Sequence, residues 1–327
     1  MSIRYIKPLG SLAGNSLSEQ VLSQVRKEFG AEVEPLILHR PVPELLAGAW
    51  MACRETLLAG EGGRDAKELV AAAVSTINRC PYCVDAHSIM LMEASGHDYK
   101  EALVDKDLAS IAAWASATLT PDSPVLHSRP FPDAEAPAFI GTALFFHYIN
   151  RMVTILLGSS PLPFSSGIAK QVSMRLGAWF FGGAIRIEKT PGASLDLLPD
   201  AILPDDLSWA KASLPIAGAF ARFAEAVEHA GLRSLSEEVR VAVSKSARNW
   251  NGSNPTMNDG WYEDDIAHLQ GTEKIAGRLA FLTAFTPHKV DEKSVRAFSE
   301  HFPGDDILIS ALAWSSFTAA RRIGSWL

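Results

Sequence analysis

The chain has 327 residues, of which 47% are hydrophobic and 20% are charged, a balance typical of a folded globular protein rather than a disordered one. Its formal net charge is -7 and it has no run of five lysines and arginines, so nucleic acid and acidic membrane surfaces are disfavoured as partners. The segment Met1 to Pro8 lacks the apolar core of a secretory signal, so we expect a cytoplasmic protein.

Segments with apolar residues at helical spacing follow one another along the chain, which predicts an all-α fold. The first helix is expected to begin near Ser16 and to end at Gly30. Further helices of the first half are predicted over Pro43 to Gly60, Asp65 to Ile77, Pro81 to Ser95, Asp107 to Thr118 and Ala138 to Leu157. The last is long enough to span a membrane, but its central polar residues would be costly in lipid, so we expect a buried core helix without a membrane.

Residues 159–209 are rich in Gly, Pro and Ser and are predicted to be a connector, with one helix around Ile168 to Phe181. The sequences on either side of this connector resemble each other at an offset of about 170 residues. The matching pairs are Leu46 to Trp50 with Ile216 to Phe220, Glu68 with Glu238, Thr118 to Pro121 with Ala284 to Pro287, and Thr142 to Phe146 with Ser310 to Trp314.

This similarity predicts two helical repeats, 1–158 and 210–327, that pack as a pseudo-dimer, because one repeat alone would leave an apolar face uncovered. The second repeat contains no cysteine, and Trp250 and Ser253 fall near the positions of Cys80 and Cys83. Thiol chemistry is therefore expected only in the first repeat. The doubled repeat and an aromatic-rich end around Trp314 also lead us to expect a homo-oligomer.

Two of the three cysteines form a C-x-x-C motif, Cys80 and Cys83, and in a reducing compartment this spacing indicates redox chemistry or metal binding. Pro81 favours the first position of a helix, which places Cys80 at the N-cap and Cys83 in the first turn. The positive end of the helix dipole then favours the thiolate form of both sulfurs.

His87 follows Cys83 by four residues, so the two side chains share one helix face and could exchange a proton. This makes Cys83 the better candidate for the attacking thiol, and Cys80 is placed to resolve its oxidised form as a disulfide. Glu68, on the preceding helix, could orient His87 or relay its proton.

The spacing of Glu68, Cys80, Cys83 and His87 resembles the peroxidase branch of the alkylhydroperoxidase D and carboxymuconolactone decarboxylase superfamily. The resemblance implies an all-helical fold, attack by Cys83, resolution by Cys80 and a proton relay through His87 and Glu68. It also implies reduction of a hydroperoxide or disulfide, with electrons from a thiol or lipoyl-bearing protein and no cofactor besides the redox-active disulfide. Some members carry a second His between the cysteines, where this chain has Tyr82.

Four further residues are candidates for the substrate pocket: Tyr82, between the cysteines, and His147, Asn150 and Arg151, on the apolar helix. Other interpretations stay open at this point. Zinc could bind the cysteines and His87, with Asp85 or Glu68 as a fourth ligand, but no metal is our expectation. Cys53 is expected to be a small buried residue.

Two other functions remain possible on the sequence. Glu68 and His87 could perform acid and base catalysis in a decarboxylase, isomerase or lyase that acts on a small organic acid, and that activity would survive loss of both thiols. Alternatively, the protein could be a non-catalytic redox sensor whose disulfide changes a partner interface. The first hypothesis is nevertheless a thiol-dependent peroxidase or disulfide oxidoreductase.

Overall fold

The structure is a computed structural model that describes residues 3–7, 16–157, 160, 187–255 and 260–327. The helix predicted around Ile168 to Phe181 lies outside these residues. Within the described ranges the regular elements are helices and there is no strand, which confirms the predicted all-α fold.

Nine α-helices are described in the first half of the chain. They are α1 Ser16–Phe29, α2 Glu34–Ile37, α3 Pro43–Cys53, α4 Arg64–Ile77, α5 Pro81–Ser95, α6 Tyr99–Ala102, α7 Lys106–Ala117, α8 Pro124–His127 and α9 Ala136–Leu156. Five are described in the second half, namely α10 Leu214–Ser234, α11 Glu237–Asn249, α12 Gly271–Phe285, α13 Glu292–His301 and α14 Asp305–Gly324. Two short 3-10 helices, Leu195–Leu197 and Asp205–Ala212, precede α10.

The helix predicted over Pro43 to Gly60 ends earlier as an α-helix, at Cys53, and continues as a π-helix over Arg54–Leu58. Side chains of this wider turn bond to groups outside the helix. Arg54 donates to the Thr190 carbonyl oxygen, and Glu55 accepts from the Ser194 hydroxyl at 2.6 Å. Such local widening is common near functional sites, and it is a tertiary feature that helical periodicity does not reveal.

Helix α9 lies at the centre of the molecule. It is long and apolar enough to cross a membrane, but 94% of its most apolar window is buried inside the protein, in agreement with the predicted core helix. It packs against α4 on one side and α14 on the other. Its Tyr148 ring lies edge-to-face against Phe223 and Phe317 of the second half, with ring centroids 5.0 and 5.9 Å away.

The helices of the second half occur in an order that parallels the first. Helices α10, α11, α12 and α14 contain or adjoin the segments that match α3, α4, α7 and α9 in sequence. Helix α3 packs on α10, and α9 packs on α14. In the described residues between α11 and α12 there is no helix that corresponds to α5. The division into two repeats with a connector stays a prediction, one with which this packing is compatible.

Candidate active site

The two cysteines of the C-x-x-C motif lie side by side where α5 begins. Cys80 is the N-cap and Pro81 occupies the first turn, while Arg79, with φ of 55°, makes the left-handed turn that joins α4 to α5. The Cys80 and Cys83 Sγ atoms are 2.9 Å apart as free thiols, and both side chains are buried. A disulfide can therefore form with little movement of the backbone.

The pKa values of the two thiols shift in opposite directions. Burial raises the pKa of Cys80, but hydrogen bonding to the Cys83 thiol and backbone outweighs burial and leaves this pKa below its ordinary value. Burial raises the pKa of Cys83 well above its ordinary value, as does the neighbouring Cys80, and hydrogen bonding to Asn150 offsets only part of this. The pKa directions therefore favour a thiolate on Cys80 and a thiol on Cys83, and the cause is the hydrogen bond between the two buried sulfurs.

Glu68 and His87 form the predicted contact between α4 and α5. Glu68 Oε2 lies 2.6 Å from His87 Nδ1, and the carboxylate is fully buried. Its other oxygen, Oε1, accepts from Arg64 Nε at 2.7 Å. Burial acts to raise the pKa of Glu68, but Arg64 and His87 outweigh it and the pKa is lowered. An ionised Glu68 holds the Nδ1 proton of His87 and leaves Nε2 available for proton transfer.

A cavity of about 310 Å³ brings Cys83 and His87 together with apolar side chains. Cys80 is not among its lining residues, so of the two cysteines in the motif Cys83 is the one that a bound molecule would meet. The remaining lining consists of Phe29, Val33, Glu34, Pro35, Leu36, Cys53, Leu57, Tyr82, Ala86, Ile89, Met90, Phe145, Phe146 and Ile149. The His87 ring stands edge-on to Phe146 with centroids 4.4 Å apart, which fixes its orientation.

Tyr82 lines this cavity, and its hydroxyl donates to Glu34 Oε2 at 2.9 Å. Burial and the Glu34 carboxylate raise the pKa of Tyr82, so its hydroxyl stays protonated. Some family members have a relay histidine at this position. Here the Tyr82 hydroxyl instead donates its proton to a hydrogen bond with Glu34 of α2. Glu34 itself was not identified from the sequence, because the contact joins residues 48 positions apart.

The other three pocket candidates lie behind the cysteines rather than in the cavity, which corrects the sequence-based expectation. Asn78 Nδ2 donates to Asn150 Oδ1 at 2.9 Å and lies 3.0 Å from His147 Nδ1. Arg151 Nε donates to the Ala284 carbonyl oxygen of the second half at 2.8 Å. Helical geometry explains this for His147 and Arg151, which lie on the face of α9 away from Phe145, Phe146 and Ile149. Asn150 lies at the edge of the cavity-facing side, and its side chain bonds to the Asn78 amide instead.

Two residues near the centre acquire significance only from the structure. Arg64 precedes Glu68 by one helical turn, a spacing that the sequence does contain, but nothing in the sequence shows that their ion pair is buried. Cys53 is buried, as expected, and also lines the cavity. Burial raises the pKa of Cys53 to about 12, so this third thiol is protonated. Among the residues that the structure describes, no three His, Cys, Asp or Glu side chains form a metal-like cluster.

Comparison with known proteins identifies the family of this chain. The model of the carboxymuconolactone decarboxylase family matches residues 44–119, which contain Glu68, Cys80, Cys83 and His87. The chain is also 37% identical to an alkyl hydroperoxide reductase of Mycobacterium tuberculosis over 332 aligned residues, which cover 99% of this chain and 95% of that protein. The chain therefore belongs to the alkylhydroperoxidase D and carboxymuconolactone decarboxylase superfamily, as the spacing of its glutamate, cysteines and histidine predicts.

Proposed function

We propose that this protein is a thiol-dependent reductase of apolar organic hydroperoxides, in which Cys83 attacks and Cys80 resolves. The observation that carries the proposal is the shared cavity: Cys83 and His87 both line it, while Cys80 lies 2.9 Å from Cys83 outside the lining. The similarity to a protein named as an alkyl hydroperoxide reductase supports it.

In the first step, the Cys83 thiolate attacks the terminal oxygen of the hydroperoxide. A sulfur–oxygen bond forms and the oxygen–oxygen bond breaks, so the sulfur is oxidised to a sulfenic acid and the substrate is reduced to an alcohol. The thiol proton of Cys83 must leave before attack, either to Cys80 along their hydrogen bond or to His87. Protonated His87 can return a proton to the departing alkoxide, since ionised Glu68 stabilises its positive charge.

In the second step, Cys80 attacks the oxidised sulfur of Cys83. A disulfide forms and the sulfenic oxygen leaves as water, so one hydroperoxide and two thiols give one alcohol, one water and one disulfide. The 2.9 Å separation of the two sulfurs in the reduced protein places Cys80 within reach for this attack. The disulfide must then be reduced by exchange with a dithiol, and a thiol or lipoyl-bearing protein is the proposed donor.

The character of the cavity argues for an uncharged organic substrate. Aliphatic and aromatic side chains form most of its lining, and none of the described lining residues is Lys or Arg. A small organic acid, the substrate class of the alternative decarboxylase or lyase, would bring its carboxylate close to Glu34 without a permanent cation to pair with it. A hydroperoxide attached to an apolar group would bury that group in the cavity instead.

Single-cysteine variants test the proposal. With cumene hydroperoxide as substrate and dithiothreitol as reductant, Cys83→Ser should have no activity above the uncatalysed rate. Cys80→Ser should consume about one equivalent of hydroperoxide per chain when the reductant is omitted, because the sulfenic acid still forms. Cys53→Ser removes the third thiol from the cavity but keeps the pair Cys80 and Cys83, so this variant should still form their disulfide and turn over. Full activity of Cys83→Ser would refute the proposal and favour acid–base chemistry by Glu68 and His87.

A further inference from the structure

We propose that Arg64 is a positioning residue that keeps Glu68 ionised beneath His87 and thereby sets the lowest pH at which the relay can work. The inference rests on the proposed function, because it assigns a purpose to the buried end of the same site. Arg64 lies outside the C-x-x-C motif, one turn before Glu68 on α4, and its side chain is more exposed than that of Glu68.

The geometry gives each oxygen of Glu68 its own partner. Arg64 Nε and Nη2 both lie 2.7 Å from Oε1, across one turn of α4, while Oε2 lies 2.6 Å from His87 Nδ1. The Glu68 side chain is fully buried, whereas those of Arg64 and His87 are 17% and 16% exposed. Arg64 therefore binds the carboxylate oxygen that His87 does not contact.

Arg64 is the one of these two partners whose charge is permanent. His87 must be neutral to accept a proton and charged to return it, so it compensates Glu68 during only part of a cycle. A guanidinium keeps its charge throughout the pH range in which proteins fold. While His87 is neutral, Arg64 is thus the directly bonded cation that stabilises the buried carboxylate of Glu68.

The other titratable groups around Glu68 do not replace this contact. Lys67, its chain neighbour, acts on Glu68 electrostatically, but its ammonium donates to the Gly60 carbonyl and burial lowers its pKa to about 8. Lys189 interacts with Arg64 and with other basic side chains as well as with Glu28. Cys53 is protonated. Arg64 and His87 are consequently the two groups that hold the carboxylate in its charged form.

Loss of Arg64 should change the protonation state of Glu68 before it changes the fold. A buried carboxylate without a cationic partner has a raised pKa, since burial disfavours its charge. Once protonated, Glu68 no longer offers a charged acceptor to the Nδ1 proton of His87, so the tautomer that leaves Nε2 free to accept a proton is no longer favoured. Activity should then fall at a pH at which the unmodified protein is still active.

The test compares Arg64→Met with Arg64→Lys, which retains the charge, and with the control Arg240→Met. Arg240 is also 17% exposed and paired with a glutamate, Glu228, but it lies on α11 in the second half. Two quantities are followed against pH: kcat/KM for cumene hydroperoxide, and the rate at which iodoacetamide alkylates Cys83, mapped by mass spectrometry. We expect the acid limb of both profiles to move up by about one to three pH units in Arg64→Met. It should move less in Arg64→Lys and not at all in Arg240→Met.

A double mutant sharpens the result. In a Glu68→Gln background, which has no ionisable group at this position, Arg64→Met should not shift the acid limb further. Acid limbs of Arg64→Met that superimpose on the unmodified protein would overturn the inference, and so would an equal shift in Arg240→Met. If no variant and not even the unmodified protein reduces hydroperoxide, the proposed function fails, while the alkylation profile still decides the role of Arg64.

Discussion

The two halves of the chain place matching helices in different surroundings, and α4 and α11 show the difference best. Helix α4 is buried from Ala66 to Ser75 and is covered by α5, which carries the cysteines. Helix α11 has one buried stripe, formed by residues such as Val239 and Val243, and its opposite face is exposed. Glu68 is fully buried in α4, whereas the glutamate at the matching position of α11, Glu238, faces solvent.

Helix α5, and not the glutamate alone, therefore makes the site. A glutamate on a helix becomes part of a relay when another helix removes it from water and supplies a histidine. The second half lacks that helix among its described residues and contributes support instead. Its Ala284 carbonyl accepts from Arg151, and its Trp326 indole N–H donates to the Thr118 carbonyl at 2.9 Å.

The largest difference in stability is expected between removal of the buried carboxylate of Glu68 and removal of its exposed counterpart, Glu238. Glu68→Ala should lower the free energy of unfolding by about 3–5 kcal/mol, because it leaves Arg64 and His87 without their shared acceptor. Glu238→Ala should leave the urea midpoint nearly unchanged. Urea unfolding followed by circular dichroism measures both. Equal losses in the two variants would contradict the distinction between the halves.

A second effect, on the pH dependence of stability, is expected from His39. Its Nε2 accepts a hydrogen bond from the Tyr148 hydroxyl at 2.6 Å, near the contact between the halves. Burial lowers the pKa of His39 to about 4. Its contribution to stability is therefore complete above the unfolded-state pKa near 6.5 and is lost as pH falls toward 4, because the unfolded chain binds the proton first. Between pH 7 and 4.5 this should cost roughly 2–3 kcal/mol.

The matching variant His39→Gln cannot titrate at this position. Its free energy of unfolding should therefore decrease less than that of the unmodified protein over the same pH interval, as measured by urea unfolding at several pH values. Parallel curves for the two proteins would show that His39 is not the group responsible.

The smallest of the three effects compares two glycines that match in the sequence repeat, Gly48 of α3 and Gly218 of α10. A Cβ atom on Gly48 would lie 2.7 Å from the Phe223 ring and 3.0 Å from the Phe223 Cα atom, where the halves are in contact. A Cβ atom on Gly218 would meet the Arg222 guanidinium and the Leu195 side chain at 3.1 and 3.2 Å, and these side chains can move.

We therefore expect Gly48→Ala to destabilise the protein by about 1–3 kcal/mol through overpacking. Gly218→Ala should be neutral or slightly stabilising, since alanine favours a helix by up to about 1 kcal/mol over glycine. Thermal unfolding of the two variants gives the comparison. A larger loss of stability in Gly218→Ala than in Gly48→Ala would mean that the packing between α3 and α10 at Gly48 is not the tighter of the two.

Much of the fold follows from local signals. The predicted bounds of α5 coincide with the observed ones because Pro81 begins the helix and Gly96, with φ of 78°, ends it. The π-helix could not be predicted, since its Arg54 and Glu55 bond to residues more than 130 positions away.

The site divides in the same way. The contact between Glu68 and His87 was predicted from spacing and is observed. The orientation of Asn150 and Arg151 away from the cavity depends on how α9 is rotated in the core, which neither residue reveals. The opposite pKa directions of Cys80 and Cys83 likewise depend on the hydrogen bond that the two buried sulfurs share, which the spacing of the motif does not show.

Thiol peroxidase chemistry at Cys83 is tested most directly by mapping the cysteines with mass spectrometry before and after one equivalent of cumene hydroperoxide. We expect a stoichiometric disulfide between Cys80 and Cys83 that dithiothreitol reverses, with Cys53 still a free thiol. Unmodified Cys80 and Cys83 after exposure to the hydroperoxide would contradict it and would favour acid–base catalysis by Glu68 and His87.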